Sequence, residues 1–401
     1  MRILAWNIQW FTLSRVEPSP QGSLALDFDD ADRTVANRTF IYSTVKQADP
    51  DVFVLLEARC TWGTLGTLAP GDGPEALLIL LRMLRMLNAN WCLVPPLRVN
   101  PTELDQKYTE TIGVYFRSDR LDFTGPLAWP LAPNGRDPSP TGPPIPPGPG
   151  TATSYPSPWA AALPQGNVAA AQYQFYTQAG AQLYFTESIN RRPYLTTFVE
   201  KAGMKRTVRM FSVHLPPKRV KSRQALSLMT KIRDADSKPG PNQLTVIVGD
   251  TNVNLNGTTE DEDVANVMKW QGYVPVFPPR RKLISGWWVY PPTIIRSRTK
   301  ATPDDYKANK PCYDYGYVWY GQGAKPPSWP GKAVAADRVA GVAATDSLPG
   351  FTHDMRMSLD DLRTFYKGLT PREEAFRERW NYGHISRPDG TSDHLPVFLV
   401  V

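Results

Sequence analysis

Residues 244–252 read LTVIVGDTN, an apolar run that ends in a glycine and an aspartate, with an asparagine two positions further. A run of this kind predicts a buried strand, so Asp250 and Asn252 are brought to one rim of a sheet. Three other segments share this design: AWN at 5–7, LLE at 55–57 and SDH at 392–394. Carboxylates and amides gathered at one rim are hard oxygen ligands. Together they predict magnesium-assisted cleavage of a phosphate ester.

The length and composition of the chain predict one globular domain with long loops. A length of 401 residues allows two or three domains, but motifs near both ends of the sequence predict a single domain over 1–401. The hydrophobic fraction of 41% and the charged fraction of 21% are those of a globular protein. The 40 prolines are about twice the average usage. We therefore predict a Pro-rich insertion at 126–170, and irregular or helical insertions at 275–311 and 321–385.

Charge and targeting signals restrict the function classes. The net charge of +7 favours a polyanionic partner, although 45 basic residues against 38 acidic ones is a modest excess. The three cysteines lack metal-ligand spacing and are an odd number, which argues against a disulfide framework. The first apolar run already contains Asn7, so it is not predicted to be a cleaved signal peptide. With no run of eighteen apolar residues, a cytoplasmic protein is the default expectation, and export without a cleaved signal stays open.

Periodicity along the chain predicts an α/β protein with enough strands for at least two sheets. The predicted strands lie at 1–7, 51–57, 111–117, 182–186, 194–200, 207–214, 244–250, 316–320 and 395–400. The predicted helices lie at 31–48, 75–87, 222–233 and 260–270, with further helix starts at 358–361 and 370–373.

In their order along the chain, these motifs resemble those of the endonuclease/exonuclease/phosphatase superfamily, and most closely its deoxyribonuclease I-like branch. The resemblance implies a four-layer sandwich, in which two mixed β-sheets pack face to face with helices outside. It also implies a divalent cation, Mg²⁺, with Mn²⁺ or Ca²⁺ as substitutes or additional ions. The implied cation ligands are Asn7, Glu57, Asp250 and Asp393.

The same resemblance implies two histidine–carboxylate pairs. His214 ends a strand and is expected to pair with Glu110, and His394 is expected to pair with Asp314. A carboxylate on one ring nitrogen sets the tautomer and raises the basicity of the other nitrogen. One histidine would activate water and the other would protonate the leaving oxygen, with Asp250 as an alternative base. Asn252 is expected to bind a phosphate oxygen.

Several residues bear on the substrate. Arg59, Tyr313, Lys218 and Arg219 are expected to contact it, as cations and an aromatic residue near the scissile phosphate. Gln9 departs from the branch, which has an arginine at this position. The preferred interpretation is a non-specific DNA endonuclease, with DNA favoured over RNA and no obligate protein partner.

Two alternatives remain open at this stage. The segment WWVY at 287–290 resembles in composition the membrane-contacting hairpin of secreted sphingomyelinases, so a phospholipid phosphodiesterase is one alternative. A phosphatase of the same superfamily is another, although CYDY at 312–315 departs from the signature of the inositol polyphosphate phosphatases. A catalytically inactive binding protein is a minor third reading.

Overall fold

The computed structural model describes most of the predicted core. The longer described ranges are 1–16, 41–61, 68–98, 109–125, 158–164, 191–230, 238–277, 311–325 and 396–401, except residues 43, 47 and 192. Shorter described pieces are 153–154, 172–173, 281–282, 288–290, 293, 333–335, 392 and 394.

The first sheet is built around a parallel pair of long strands. These are β1 (Arg2–Phe11) and β2 (Val52–Cys60), in which Ile3 lies opposite Val52. Three further strands of this sheet come later in the sequence. They are β3 (Trp91–Val94), β4 (Thr109–Arg117) and β16 (Val397–Val400). With the short edge strand β15 (Ala333–Ala335), the order is β15-β16-β1-β2-β4-β3, and all pairings except β1 with β2 are antiparallel.

The second sheet has the same design, with one parallel pair near its centre. That pair is β9 (Thr207–His214) and β10 (Gln243–Asp250), in register from Thr207 opposite Gln243 to His214 opposite Asp250. The remaining strands are β5 (Leu121–Gly125), β8 (Tyr194–Glu200), β11 (Val274–Val276) and β14 (Asp314–Tyr320). Their order is β11-β14-β10-β9-β8-β5.

Helices cover the outer faces of both sheets. Helix α1 (Asp72–Leu87) packs on β2 and β3, and its buried leucines share a cluster with Phe53 and Tyr115 of the first sheet. Helices α2 (Arg219–Met229) and α3 (Thr259–Trp270) contact each other, and their apolar side chains join the cluster that contains the second sheet. The predicted four-layer α/β sandwich is therefore confirmed.

The space between the sheets is filled by apolar side chains from both. Phe116 and Phe123 pack against Phe198, with ring centroids 5.4 to 5.7 Å apart. Fully burying one such side chain contributes roughly 1.5–3 kcal/mol. Because β1 and β2 lie against β10 and β9 across this layer, the carboxyl ends of both parallel pairs meet at the same edge of the sandwich.

Several element boundaries differ from the sequence prediction. Strand β1 runs four residues past Asn7 to Phe11, because after an irregular turn with a positive φ of 53° at Trp10 its pairing with β2 resumes at Phe11 in a shifted register. Strands β3, β5 and β11 were not predicted, since runs of three to five residues carry little periodicity. Of the predicted helix at 31–48, residues 41, 42, 44–46 and 48 are described and are helical. The segments at 182–186, 358–361 and 370–373 lie outside the described residues.

The predicted insertions contain ordered segments that join the core. In the Pro-rich insertion, β6 (Thr153–Ser154) pairs with β7 (Gln172–Tyr173), and Ala162 and Leu163 are buried. In the second insertion, β12 (Arg281–Lys282) pairs with β13 (Trp288–Val289). Within 321–385, predicted to be irregular or helical, residues 333–335 pair with β16 as strand β15. Its sequence, AVA, is too short to show a pattern. In the part of the chain that the structure describes, no helix has the length and hydropathy needed to cross a membrane.

Candidate active site

Asn7 and Glu57 come from the parallel pair of the first sheet. Asn7 is fully buried in β1, opposite Leu56 of β2. The register of β2 shifts between Leu55 and Ala58, and Glu57 within this bulge has a positive φ of 62°. Bulges of this kind redirect a side chain at the rim of a sheet. The Glu57 carboxylate consequently accepts a hydrogen bond from Asn7 Nδ2 at 2.9 Å.

Asp250 and His214 come from the parallel pair of the second sheet. They are the last residues of β10 and β9 and lie side by side in the register. Gly249, just before Asp250, has a φ of 137°, and a Cβ at this position would lie 2.1 Å from the carbonyl oxygen of Val213. Only glycine fits such a close approach of two strands. The glycine of the GDTN motif therefore lets Asp250 and His214 end next to each other.

The Asn7 amide connects the two sheets. Its Nδ2 donates to Asp250 Oδ2 at 3.0 Å as well as to Glu57, so both carboxylates surround one nitrogen. This arrangement fixes the amide, and its Oδ1 is a buried oxygen with no hydrogen-bond partner. An oxygen of this kind next to two carboxylates is a donor set that suits a hard divalent cation. Asn7, Glu57 and Asp250 could therefore hold such an ion. Asp393 lies outside the described residues.

His214 and Glu110 are in contact. Glu110 Oε1 lies 2.8 Å from His214 Nδ1, and the other ring nitrogen, Nε2, lies 3.5 Å from both Glu57 and Asp250. Burial and Arg191 act to lower the pKa of His214, but Glu110 and Glu57 outweigh them and raise it. Burial acts to raise the pKa of Glu110, but Arg191 and His214 together lower it. The pair thus favours an ionised Glu110 beside a basic imidazole.

His394 and Asp314 form a second pair, deeper in the protein. His394 Nδ1 and Asp314 Oδ2 are 2.9 Å apart, and His394 Nε2 lies 3.6 Å from Asp250 Oδ2. Burial, with a smaller contribution from the charge of Asp250, raises the pKa of Asp314, while His394 opposes the shift.

The loop that carries His394 is tied to β1. Ser392 Oγ donates to the carbonyl oxygen of Asn7 and accepts the His394 backbone N–H, while Trp6 Nε1 donates to the His394 carbonyl oxygen. These bonds explain why serine precedes the Asp-His dipeptide. They hold the histidine next to the cluster formed by Asn7 and Asp250.

Asn252 lies beyond Asp250 and borders a cavity of about 360 Å³. Its backbone N–H donates to Asp250 Oδ1 at 2.9 Å, and its Nδ2 donates to the Leu215 carbonyl oxygen at 2.8 Å. Tyr313 and Arg219, two residues predicted to contact the substrate, line the same cavity. Asn254, Asn256 and Thr258 complete most of its wall, so the cavity is polar.

Two of the predicted substrate cations have other contacts. Arg219 Nη2 lies 2.7 Å from the buried carboxylate of Asp261, and this ion pair largely neutralises its charge at the cavity wall. Arg59 lies with its guanidinium carbon 5.4 Å from the ring centroid of Trp10. Lys218 is exposed and occupies the position before the first residue of α2.

Arg191 contacts both members of one histidine pair, although the sequence reasoning did not select it. Its Nη1 lies 2.5 Å from His214 Nε2, and its Nε lies 3.2 Å from Glu110 Oε1. The pairing of Tyr194 with Ser212 places the residues just before β8 beside those just after His214. The sequence did contain a signal for this contact: Arg191 is a basic residue just before β8, the strand that pairs with the His214 strand.

The arrangement is suited to proton transfer around a negatively charged ester. One buried carboxylate, Asp250, lies within 3.6 Å of the Nε2 atoms of His214 and His394. Each imidazole has its own carboxylate on Nδ1. Two imidazoles that both lie next to the Asp250 carboxylate can divide the proton transfers: one removes a proton from a nucleophile, and the other delivers a proton to a leaving group.

Comparisons with known proteins give structural neighbours only. No protein-family model matches the sequence, and no curated protein matches it. A mannosyl-6-phosphatase of Bacteroides thetaiotaomicron is 12% identical, with a TM-score of 0.46 and coverage of 100% of this chain and 98% of that chain. An endonuclease/exonuclease/phosphatase family protein of Leptotrichia buccalis is 10% identical, with a TM-score of 0.44 and coverage of 100% and 98%. TDP2 of D. rerio, complexed with a single-strand DNA product, is 11% identical, with a TM-score of 0.43 and coverage of 100% and 97%.

Proposed function

We propose that this protein is a divalent-metal-dependent phosphodiesterase of the endonuclease/exonuclease/phosphatase superfamily. The observation that carries the proposal is the position of Asp250, within 3.6 Å of two histidines that each have their own carboxylate. A purely structural core would not bury so many ionisable groups at one point, because each buried charge costs free energy. Perturbed groups of this kind, gathered at one edge of the sheets, are typical of active sites.

Each residue has a proposed role. Asn7, Glu57, Asp250 and Asp393 would hold the cation, Mg²⁺, which when bound neutralises charge on the phosphate. His394, held by Asp314, takes the proton of the attacking water. His214, held by Glu110, protonates the leaving oxygen; the reverse assignment, or Asp250 as the base, are the alternatives.

Arg191 and Asn252 are proposed to hold the phosphate. The Arg191 guanidinium lies against His214, with Nη1 2.5 Å from Nε2, and a phosphate oxygen that displaces this direct contact would accept from both groups. One amide hydrogen of Asn252 is used by the Leu215 carbonyl oxygen. Its second amide hydrogen is the donor that we assign to a non-bridging phosphate oxygen in the transition state.

We propose nucleic acid, and DNA in the first instance, as the substrate of a non-specific endonuclease. The net charge of +7 favours a polyanion, and Arg59 and Arg191 are cations at or beside the site. Contacts between cationic side chains and the phosphates of a nucleic acid carry no sequence information, and we therefore expect little sequence preference.

The test is a side-by-side assay of plasmid DNA, single-stranded circular DNA, RNA, sphingomyelin and phosphoinositides with Mg²⁺. Cleavage of a nucleic acid that EDTA abolishes and added Mg²⁺ restores is expected. Phosphate or phosphocholine released from the lipids, with all nucleic acids intact, would overturn the nuclease proposal and support the alternative esterases.

Replacing either histidine tests the proton-transfer roles. His394→Ala and His214→Ala are each expected to lower turnover by at least about 10²-fold, the lower part of the range for a general acid or base. Steady-state rates on the best substrate measure the effect. Near wild-type rates in both variants, with melting curves unchanged, would remove the histidines from the mechanism.

A further inference from the structure

Trp10 is an exposed aromatic residue at the rim of the candidate active site. Its side chain is 54% exposed, whereas Phe11, the next residue of β1, is fully buried. Its backbone N–H lies 3.3 Å from Glu57 Oε2 and donates to it, which places the residue directly beside a proposed cation ligand. The ring is therefore exposed to solvent beside the proposed cation site.

The backbone of Trp10 is in a conformation that bulky residues seldom adopt. Its φ of 53° lies in the left-handed region. Strain of this kind is found where function requires a particular side-chain direction. Trp10 lies where the register between β1 and β2 shifts, and the pairing resumes at Phe11, opposite Ala58.

Arg59 supports the ring from one side. It lies two residues after Glu57 on β2, and its guanidinium carbon is 5.4 Å from the centroid of the Trp10 ring. A cation over an aromatic face attracts the ring electrostatically and limits its rotation. The indole is thus presented as an oriented flat surface rather than as a mobile side chain.

The chemistry of this surface selects its ligand. A lipid surface requires a contiguous apolar patch, but Trp10 has the buried Phe11 on one side and Arg59 beneath it. Aromatic side chains on which bases stack, with arginine adding cation–π contacts, are typical of proteins that bind single-stranded nucleic acid.

We propose that the Trp10 ring, supported by Arg59, is a stacking platform for a nucleobase adjacent to the cleaved phosphate. This inference rests on the proposed phosphodiesterase function and specifies its substrate. A base inside a duplex is already stacked on both faces, so a protein aromatic stacks only on unpaired bases. The preferred substrate is therefore a single strand, a flap or an end rather than intact duplex.

The experiment compares two oligonucleotides of equal length and charge. One is a single-stranded 12-mer with all bases, and the other carries abasic residues throughout. The wild type is expected to prefer the first by about 10-fold in kcat/KM, within the range for one base–aromatic stack. In Trp10→Leu the preference should fall to about 2-fold or less, and Trp10→Phe should keep part of it.

Trp270→Leu is the matched control. Trp270 is 95% exposed at the last position of α3, and its loss should leave the wild-type preference unchanged. The dissociation constants of both oligonucleotides, measured by fluorescence anisotropy in EDTA, give the preference for bases as a binding ratio, independently of turnover. If the wild type cleaves neither oligonucleotide, the nuclease proposal fails, and the ratio of the two dissociation constants still tests whether Trp10 stacks on a base. If wild type and Trp10→Leu prefer the oligonucleotide with bases to the same extent, both in kcat/KM and in the dissociation constants, the stacking proposal is overturned.

Discussion

Replacing Asp250 with asparagine is expected to lower phosphodiester turnover by about 10³-fold or more, with the fold retained. Asp250 Oδ2 accepts a hydrogen bond from Asn7 Nδ2 and lies within 3.6 Å of His214 Nε2 and His394 Nε2. One change therefore removes a proposed cation ligand and the negative charge that both imidazoles face. Loss of a single acid–base group costs about 10²–10⁴-fold, and Asp250 is proposed to serve more than one role.

The structure limits what else this substitution changes. An asparagine has the same shape, and its oxygen can still accept the Asn252 backbone N–H that Asp250 Oδ1 accepts at 2.9 Å, while its amide nitrogen replaces the oxygen that accepts from Asn7 Nδ2, so that one hydrogen bond is lost. Single-turnover rates with saturating Mg²⁺ measure the chemical step. A titration that follows the melting temperature against Mg²⁺ measures cation binding, because an ion that binds only the folded state raises it.

Asp51→Asn is the control for Asp250→Asn. Asp51 precedes β2 at the end of the strand opposite to Glu57, and its carboxylate accepts hydrogen bonds from Arg2 and Arg120. Neutralising it removes a partly buried carboxylate far from the site, so turnover below the melting temperature should not change. A decrease of less than 10-fold in Asp250→Asn would contradict the central role of this residue.

Gly249→Ala is expected to lower the free energy of unfolding by about 3 kcal/mol or more, the upper part of the range for a strained backbone position. A Cβ there would lie 2.1 Å from the Val213 carbonyl oxygen, and the φ of 137° is one that L-residues rarely adopt. To relieve this clash, β9 and β10 must separate at the point where they carry His214 and Asp250. Turnover is therefore expected to fall together with stability.

Gly203→Ala separates the steric effect from the conformational one. Gly203 also has a positive φ, of 68°, but a Cβ there would meet nothing within 4 Å. We expect this variant to lose only about 1 kcal/mol, the cost of the left-handed conformation. Urea unfolding of both variants measures the difference. Equal stability of the two would show that the close approach at Gly249 is not what requires glycine.

The long strands of the second sheet were predicted closely because their residues are buried on both faces. Strands β8 and β9 have the predicted bounds, and β10 begins one residue earlier. Buried strands of seven or eight residues, rich in apolar and β-branched side chains, leave few alternatives. In contrast, β15 has three residues, and only its pairing with β16 makes it a strand.

The surroundings of the predicted substrate cations were harder to predict than the two histidine–carboxylate contacts. Lys218 and Arg219 were both expected to contact the substrate from their position after His214. The structure pairs Arg219 with Asp261, which is 42 residues away along the chain. A basic run does not reveal which of its charges have partners, because those partners come from other elements. Arg191 and Trp10 were not selected for the same reason.

The sequence alone determined which strands end in polar groups, because burial requires apolar residues along a strand and leaves its last position free for Asp250 or His214. The resemblance to a known superfamily supplied the expected histidine partners. Only the tertiary structure decided the distances: it packed two sheets face to face, so that Asn7 of one donates to Asp250 of the other. It also placed Arg191 on His214 and Arg59 under Trp10. These contacts join residues far apart in the chain, and their geometry depends on how the strands pair and pack, which no local pattern records.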